Sequence, residues 1–166
     1  MTYNTQQPAN LVPTPSLPIN RAVESLQVRQ IMATAPVTVS PGTSLHEAQT
    51  LMQQHHLPYL PVVENGMLVG MLDARDVQTY VPSPATSLSK WELLYLLDKI
   101  SVREVMTTKV VTVAPETPVS EVIHLMLMHR VGTLPVVEAG QFVGLLSQAD
   151  ILQAFLLFQP TESLAV

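Results

Sequence analysis

Leu60-Pro61-Val62-Val63-Glu64 and Leu134-Pro135-Val136-Val137-Glu138 are the same five residues, repeated 74 positions apart. Working outward from them, residues 28–77 lie over 102–151 without a gap, and 23 of the 50 aligned pairs are identical. The match begins at Val28-Arg29 with Val102-Arg103 and takes in Met32 with Met106. It runs through Val37-Thr38-Val39 with Val111-Thr112-Val113, and closes with Gly66, Gly70 and Asp76 against Gly140, Gly144 and Asp150. A duplicated unit accounts for this pattern. Chance does not.

Each copy reads the same way. A short apolar strand (Val37 to Val39; Val110 to Val113) ends at a proline turn. A helix follows over about 44–56 and 118–130, with Leu45, Ala48, Leu51 and Met52, or Val119, Val122, Ile123 and Met126, near helical spacing. Two β-rich runs come next, Tyr59–Glu64 and Met67–Leu72 in the first copy. Asn65-Gly66 between them is a hairpin signal, because both central residues of a type I′ turn need positive φ. Ala139-Gly140 holds that place in the second copy. A last helix starts at Asp73 or Ser147. The order is β-α-β-β-α, twice.

A 50-residue unit buries too little surface to be comfortable alone. Two copies packed sheet against sheet would cover both apolar faces, so the expected fold is α/β (α+β): two β-α-β-β-α repeats about a pseudo-two-fold axis. The predicted layout is a mobile proline-rich leader over 1–27 (Pro8, Pro13, Pro15, Pro18), repeat 1 over 28–81, a linker over 82–101, repeat 2 over 102–156 and a flexible tail over 157–166. Within the linker, Pro82-Ser83-Pro84 is a break and Ser87 to Leu97 reads as an amphipathic helix. Leu88, Trp91, Leu94 and Tyr95 can share one face, widened by Leu93, Leu96 and Leu97. That is more apolar surface than one core face needs, which points to a dimer interface.

Composition narrows the function. Charged residues are 13% of the chain against 47% apolar, and a surface so poor in charge favours self-association into a homodimer. Net charge is −5 with eight Lys and Arg spread singly, which argues against nucleic acid. There is no cysteine, so disulfides, thiolate metal sites and a cysteine nucleophile are excluded. Neither a signal peptide nor a membrane-spanning stretch is read, and a cytoplasmic location is expected. The five histidines lack metal-ligand spacing: His124 and His129 diverge on a helix, as do His55 and His56, and His46-Glu47 has no partner histidine. The eight methionines are core filler. No nucleophile elbow or phosphate loop is present, so no metal, no required cofactor and no catalytic residue are expected.

The repeat, its element order and the run Gly144-Leu145-Leu146-Ser147-Gln148-Ala149-Asp150 together resemble the cystathionine-β-synthase (CBS) domain, in the paired form called a Bateman module. The resemblance covers 28–155. The linker from Val81 to Leu93 is similar to that of stand-alone pairs related to bacterial acetoin-utilisation proteins. The resemblance implies a regulatory module that binds an adenosine-containing ligand (AMP, ADP, ATP or another adenosyl compound) between the repeats and relays it to an effector protein. It implies that Asp150 takes the ribose hydroxyls, that Ser147 helps hold a phosphate, and that Gly144 lets the backbone approach the ligand. Physically, a carboxylate can accept two hydrogen bonds from a cis-diol, and a helix N-terminus suits an anion. Ser147-x-x-Asp150 is also a capping-box pattern, in which the same side chains satisfy helix N–H groups.

Repeat 1 departs from the pattern, since Gly70-Met71-Leu72-Asp73-Ala74-Arg75-Asp76 puts a carboxylate where Ser147 stands in repeat 2. A phosphate there meets like charge, partly offset by Arg75. A site at Asp76 is therefore expected to be empty, or to take an uncharged adenosine moiety. His129-Arg130 before Leu134-Pro135-Val136 resembles the basic pair of the energy-sensing γ subunit of AMP-activated kinase, which implies phosphate contact; as C-terminal helix cations the two residues equally suit the helix dipole. By the same resemblance, the base at the Asp150 site would stack among Thr34, Pro36, Val37, Pro58 and Tyr59, with Tyr59 large enough to limit the pocket. The competing reading is a structural dimerisation or docking module whose clefts hold no ligand.

Overall fold

The computed structural model describes residues 26–80 and 89–157. The leader up to residue 25, Leu88 with the linker break, and the tail from 158 onward lie outside the described residues. In repeat 1, helix α1 (Leu45–His55) is followed by strands β1 (Tyr59–Glu64) and β2 (Met67–Asp73) and helix α2 (Ala74–Thr79). The linker contributes α3 (Lys90–Lys99), and α4 (Val102–Val105) opens the second half. Repeat 2 then gives α5 (Val119–His129), β3 (Thr133–Glu138), β4 (Gln141–Ser147) and α6 (Gln148–Leu157).

The two hairpins are built alike. Tyr59 pairs with Asp73 and Pro61 with Met71, as Thr133 pairs with Ser147 and Pro135 with Leu145. Each carries a bulge at the same place, where the register shifts between Val62 and Val63 and between Val136 and Val137. The turns take positive φ throughout: 53° and 80° at Asn65-Gly66, 48° and 82° at Ala139-Gly140. Alanine pays a steric cost there that asparagine largely avoids.

The first strand of each repeat is reduced to a single parallel bridge, Val39 to Val62 and Val113 to Val136. The Val39 N–H donates to the Pro61 carbonyl, and the Val39 carbonyl accepts from Val63 N–H. Pro61 has no N–H to offer, so a proline at this register limits how far the pairing extends.

Each repeat begins in the other repeat's half. Val28 and Arg29 donate N–H bonds to the carbonyls of Thr117 and Pro115, and Val102 and Arg103 to those of Thr43 and Pro41. Ala33 exchanges two backbone bonds with Leu145 (2.9 and 3.0 Å), as Thr107 does with Met71 (2.8 and 2.9 Å). The hydrophobic cores follow that exchange. Leu26, Val28, Ile31 and Met32 pack with Val122, Leu134, Val136 and Leu146. Val102, Val105 and Met106 pack with Leu45, Leu60, Val62 and Leu72. Leu26, assigned by composition to the leader, is therefore a core residue, 4% exposed.

Helix α3 starts at a capping box formed by Ser89 and Glu92. Its buried side is Leu93 and Leu97, with Ile100 beyond the helix, all against the repeat 1 core. Trp91 and Tyr95 are 80% and 63% exposed. The face proposed from Trp91 and Tyr95 is thus the outer one; of the residues read as widening the stripe, Leu93 and Leu97 hold the helix down, while Leu96 is exposed. No helix among the described residues is long and apolar enough to cross a membrane.

Candidate functional site

Because the chain exchanges halves, two clefts open where the start of one repeat crosses the β-to-α junction of the other. The larger, about 690 Å³, is walled by Ala33, Ala35, Pro36, Val37, His55, Pro58 and Tyr59 on one side, and by Thr133, Leu145, Ser147, Gln148, Ala149 and Asp150 on the other. That volume lies within the roughly 300–1,000 Å³ of small-molecule sites. Most of the wall is apolar.

The polar end of this cleft is the first turn of α6. Ser147 donates its N–H (2.8 Å) and its hydroxyl (2.6 Å) to Asp150 Oδ2, and Asp150 N–H donates to Ser147 Oγ at 3.3 Å. The capping box foreseen as one alternative is thus formed. The N–H of Gln148 donates to the Gly132 carbonyl at 2.9 Å. Three of the N–H groups around this helix start therefore already have protein partners.

The smaller cleft, about 270 Å³, is lined by the symmetry-related positions: Thr107, Lys109, Val110, Val111, His129, Val131 and Thr133 against Tyr59, Met71, Asp73 and Asp76. Asp73 caps α2 by accepting from Arg75 N–H at 2.8 Å. It also accepts from the Arg75 guanidinium at 2.6 to 3.2 Å. Partial burial pushes the Asp73 carboxyl up, but the hydrogen bonds and charge of Arg75 outweigh it and hold the group below the usual carboxylate range. Tyr59 and Thr133 line both clefts, back to back.

Residues 28–83 and 102–157 each match the model of the CBS domain. The chain belongs to the CBS domain family. It is 32% identical over 124 residues to the CBS domain-containing protein YhcV of Bacillus subtilis, covering 75% of this chain and 81% of that one. Among solved structures it is similar to CBSX2 in complex with AMP, at 26% identity and a TM-score of 0.66, covering 79% of this chain and 96% of that one. It is also similar to the CBS domain pair of MJ0100 in complex with 5′-methylthioadenosine and S-adenosyl-L-methionine, at 26% identity and a TM-score of 0.62, covering 78% and 95%.

Within this CBS pair, the residues singled out from sequence divide between the clefts. Asp150, Ser147, Pro36, Val37, Pro58 and Tyr59 come together around the larger one. Tyr59 leaves it open rather than filling it. Thr34 is exposed and not among its lining residues, since the wall is made by its neighbours Ala33 and Ala35. His129 lines the smaller cleft, because the end of α5 faces the opposite crossing; His55 takes its place in the larger. Arg130 closes α5 in the left-handed conformation (φ 54°), is exposed, and belongs to neither wall. Gly144 lines neither cleft, and packing leaves no room for a side chain there: a Cβ would stand 2.7 Å from the Ala33 carbonyl oxygen and 3.1 Å from Met32 Sδ.

Of the smaller cleft's residues, Asp73 and Asp76 are where the repeat places them, while Arg75 reaches it only through its ion pair with Asp73. Lys109 was missed. The signal was present, since Lys109 is the residue 74 positions after Ala35, inside the segment already read as a ligand wall. Among the described residues no group of three or more His, Asp or Glu side chains is placed to hold a metal ion.

Proposed function

We propose that this CBS pair is a ligand-sensing regulatory module that binds an adenosine-containing compound in the Asp150 cleft. The carrying observation is the coincidence of the larger cleft with the Asp150 carboxylate. Both bonds from Ser147 fall on Oδ2, so Oδ1 is the oxygen left to accept from a ribose hydroxyl. Pro36, Val37, Pro58 and Leu145 offer the flat apolar surroundings a purine needs. Two relatives solved with AMP and with S-adenosyl-L-methionine support the same ligand class. Ligand binding would act by favouring one arrangement of the repeats over another, which requires different affinity for the two. A homodimer would present that change to an effector protein.

The alternative, a docking module without a ligand, is favoured by one observation: Ser147 and Asp150 already satisfy each other as a cap. Melting temperature separates the two readings. AMP, ADP, ATP, S-adenosylmethionine, NAD and cyclic dinucleotides are tested at saturation. Binding stabilises the folded state by about 2.7 kcal/mol at a ligand concentration 100 times Kd. We expect a shift of several degrees with at least one adenosyl compound, abolished in Asp150→Ala. No shift with any of them defeats the sensing proposal, and a shift that survives Asp150→Ala defeats the site.

A further inference from the structure

The two clefts differ in where a cation stands, since Lys109 lines the smaller and no Lys or Arg lines the larger, and the difference bears on what the Asp150 cleft can accept. A phosphate in a partly dry site needs a cation or free N–H donors, because losing its water is otherwise uncompensated. Among the residues lining the Asp150 cleft there is no Lys or Arg; His55 is the one basic side chain, and Asp150 itself is anionic. The cations of the described chain are engaged or placed elsewhere. Arg29 pairs with Glu116, Arg75 with Asp73 and Arg103 with Glu64. Lys99 lies over the Tyr95 ring, Lys109 lines the smaller cleft, and Arg130, exposed at the end of α5, lines neither cleft.

The helix start offers little in their place. The N–H groups of Ser147, Gln148 and Asp150 donate to Asp150 Oδ2, Gly132 O and Ser147 Oγ respectively. The Ser147 hydroxyl donates to Asp150 as well. Three of the donors that would cradle a phosphate at an open helix N-terminus are here taken by the protein's own acceptors.

Resting on the adenosine-binding reading above, we infer that the Asp150 cleft selects adenosyl compounds whose 5′ substituent carries no phosphate: an uncharged thioether or hydroxyl, or a cationic sulfonium. Ala35 is the position that sets this preference, since its counterpart in the smaller cleft is Lys109. Ala35 is exposed, so a lysine there fits without repacking the core.

Calorimetry on the full chain tests this with adenosine, 5′-methylthioadenosine, AMP and ATP. The uncharged pair is expected to bind at least about tenfold more tightly than AMP or ATP, a preference lost in Asp150→Ala. Because that change also removes a helix cap, Asp150→Asn serves as a second variant. In Ala35→Lys the affinity for AMP should rise about threefold to fivefold, the scale of a partly exposed ion pair, while that for adenosine stays level. ATP binding that equals or exceeds adenosine binding and depends on Asp150 overturns the selectivity and leaves the sensing proposal standing. Binding insensitive to Asp150 but lost in Lys109→Ala puts the ligand in the other cleft and overturns it too. No binding by any of the four, with no melting shift in the wider panel, removes the sensing proposal and this inference with it.

Discussion

The two clefts are made from equivalent residues, yet one is more than twice the volume of the other, about 690 against 270 Å³. The same backbone exchange, the same hairpins and the same bulges frame both. A few side chains separate them: Ser147 against Asp73, Ala35 against Lys109, Pro36 against Val110. The lesson is that duplication conserves the frame, in which every core position touches several others, and frees the walls, where a side chain answers only to solvent or ligand. Symmetry should therefore hold for core substitutions and fail for cleft and turn substitutions.

The largest effects test the part that should be equal. Leu60 and Leu134, 0% and 1% exposed, occupy matching places in the two cores. Truncation of either to alanine should cost about 2–5 kcal/mol. The two values should agree within about 1 kcal/mol in urea denaturation, and a wider gap would mean the cores are not equivalent.

The glycines come next, and here the halves begin to part. A Cβ at Gly144 meets the Ala33 carbonyl oxygen at 2.7 Å, whereas one at Gly70 meets the tip of Met106, Sδ at 2.7 Å, and the Thr107 carbonyl at 3.0 Å. A methionine sulfur can move aside and a backbone carbonyl held in a bridge cannot. Gly144→Ala should destabilise by about 2–3 kcal/mol and Gly70→Ala by about 1 kcal/mol. Equal losses would show that the crossing segments yield alike.

The turns give a smaller, opposite pair. Ala139 holds a φ of 48° that Asn65 holds at 53° in the other hairpin. Ala139→Asn should stabilise by about 0.5–1 kcal/mol, and Asn65→Ala should lose a similar amount. Thermal melts of the two variants check both signs.

The smallest effect is in acid. The Asp73 carboxyl titrates below its usual range because Arg75 bonds it, outweighing partial burial. A depressed folded value contributes stability that is complete above the unfolded value of about 3.9 and is lost as pH falls through the lower folded one. Asp73→Ser should flatten stability against pH below about pH 4, by no more than a few tenths of a kcal/mol after solvent screening.

Much of the frame was legible along the chain. Tyr59–Glu64 was read to the residue, both long helices to within one residue at either end, and Asn65-Gly66 named its hairpin, because each of these depends on neighbours close in sequence. The site was half legible. Asp150, Ser147, Pro36 and Tyr59 do meet, since a β-to-α junction and a strand-flanking loop keep their character wherever they dock. His129 and Lys109 were misplaced or missed. Only the first has a tertiary cause, since whether the end of α5 faces the Asp76 or the Asp150 junction depends on which half it crosses into; Lys109 was within reach of the 74-residue offset from Ala35.

By itself, then, the sequence determined the repeated unit, its elements, its family and the difference between Asp73 and Ser147, all of them properties of short segments or of an alignment of the chain with itself. Only the tertiary structure decided that Leu26 and Val28 complete the second core, that Gly144 makes room for Ala33, and that Lys109 lines one cleft while no Lys or Arg lines the larger. An offset of 74 aligns equivalent positions and is blind to which half each packs against. That choice is made by non-local burial and backbone pairing, which no local pattern encodes.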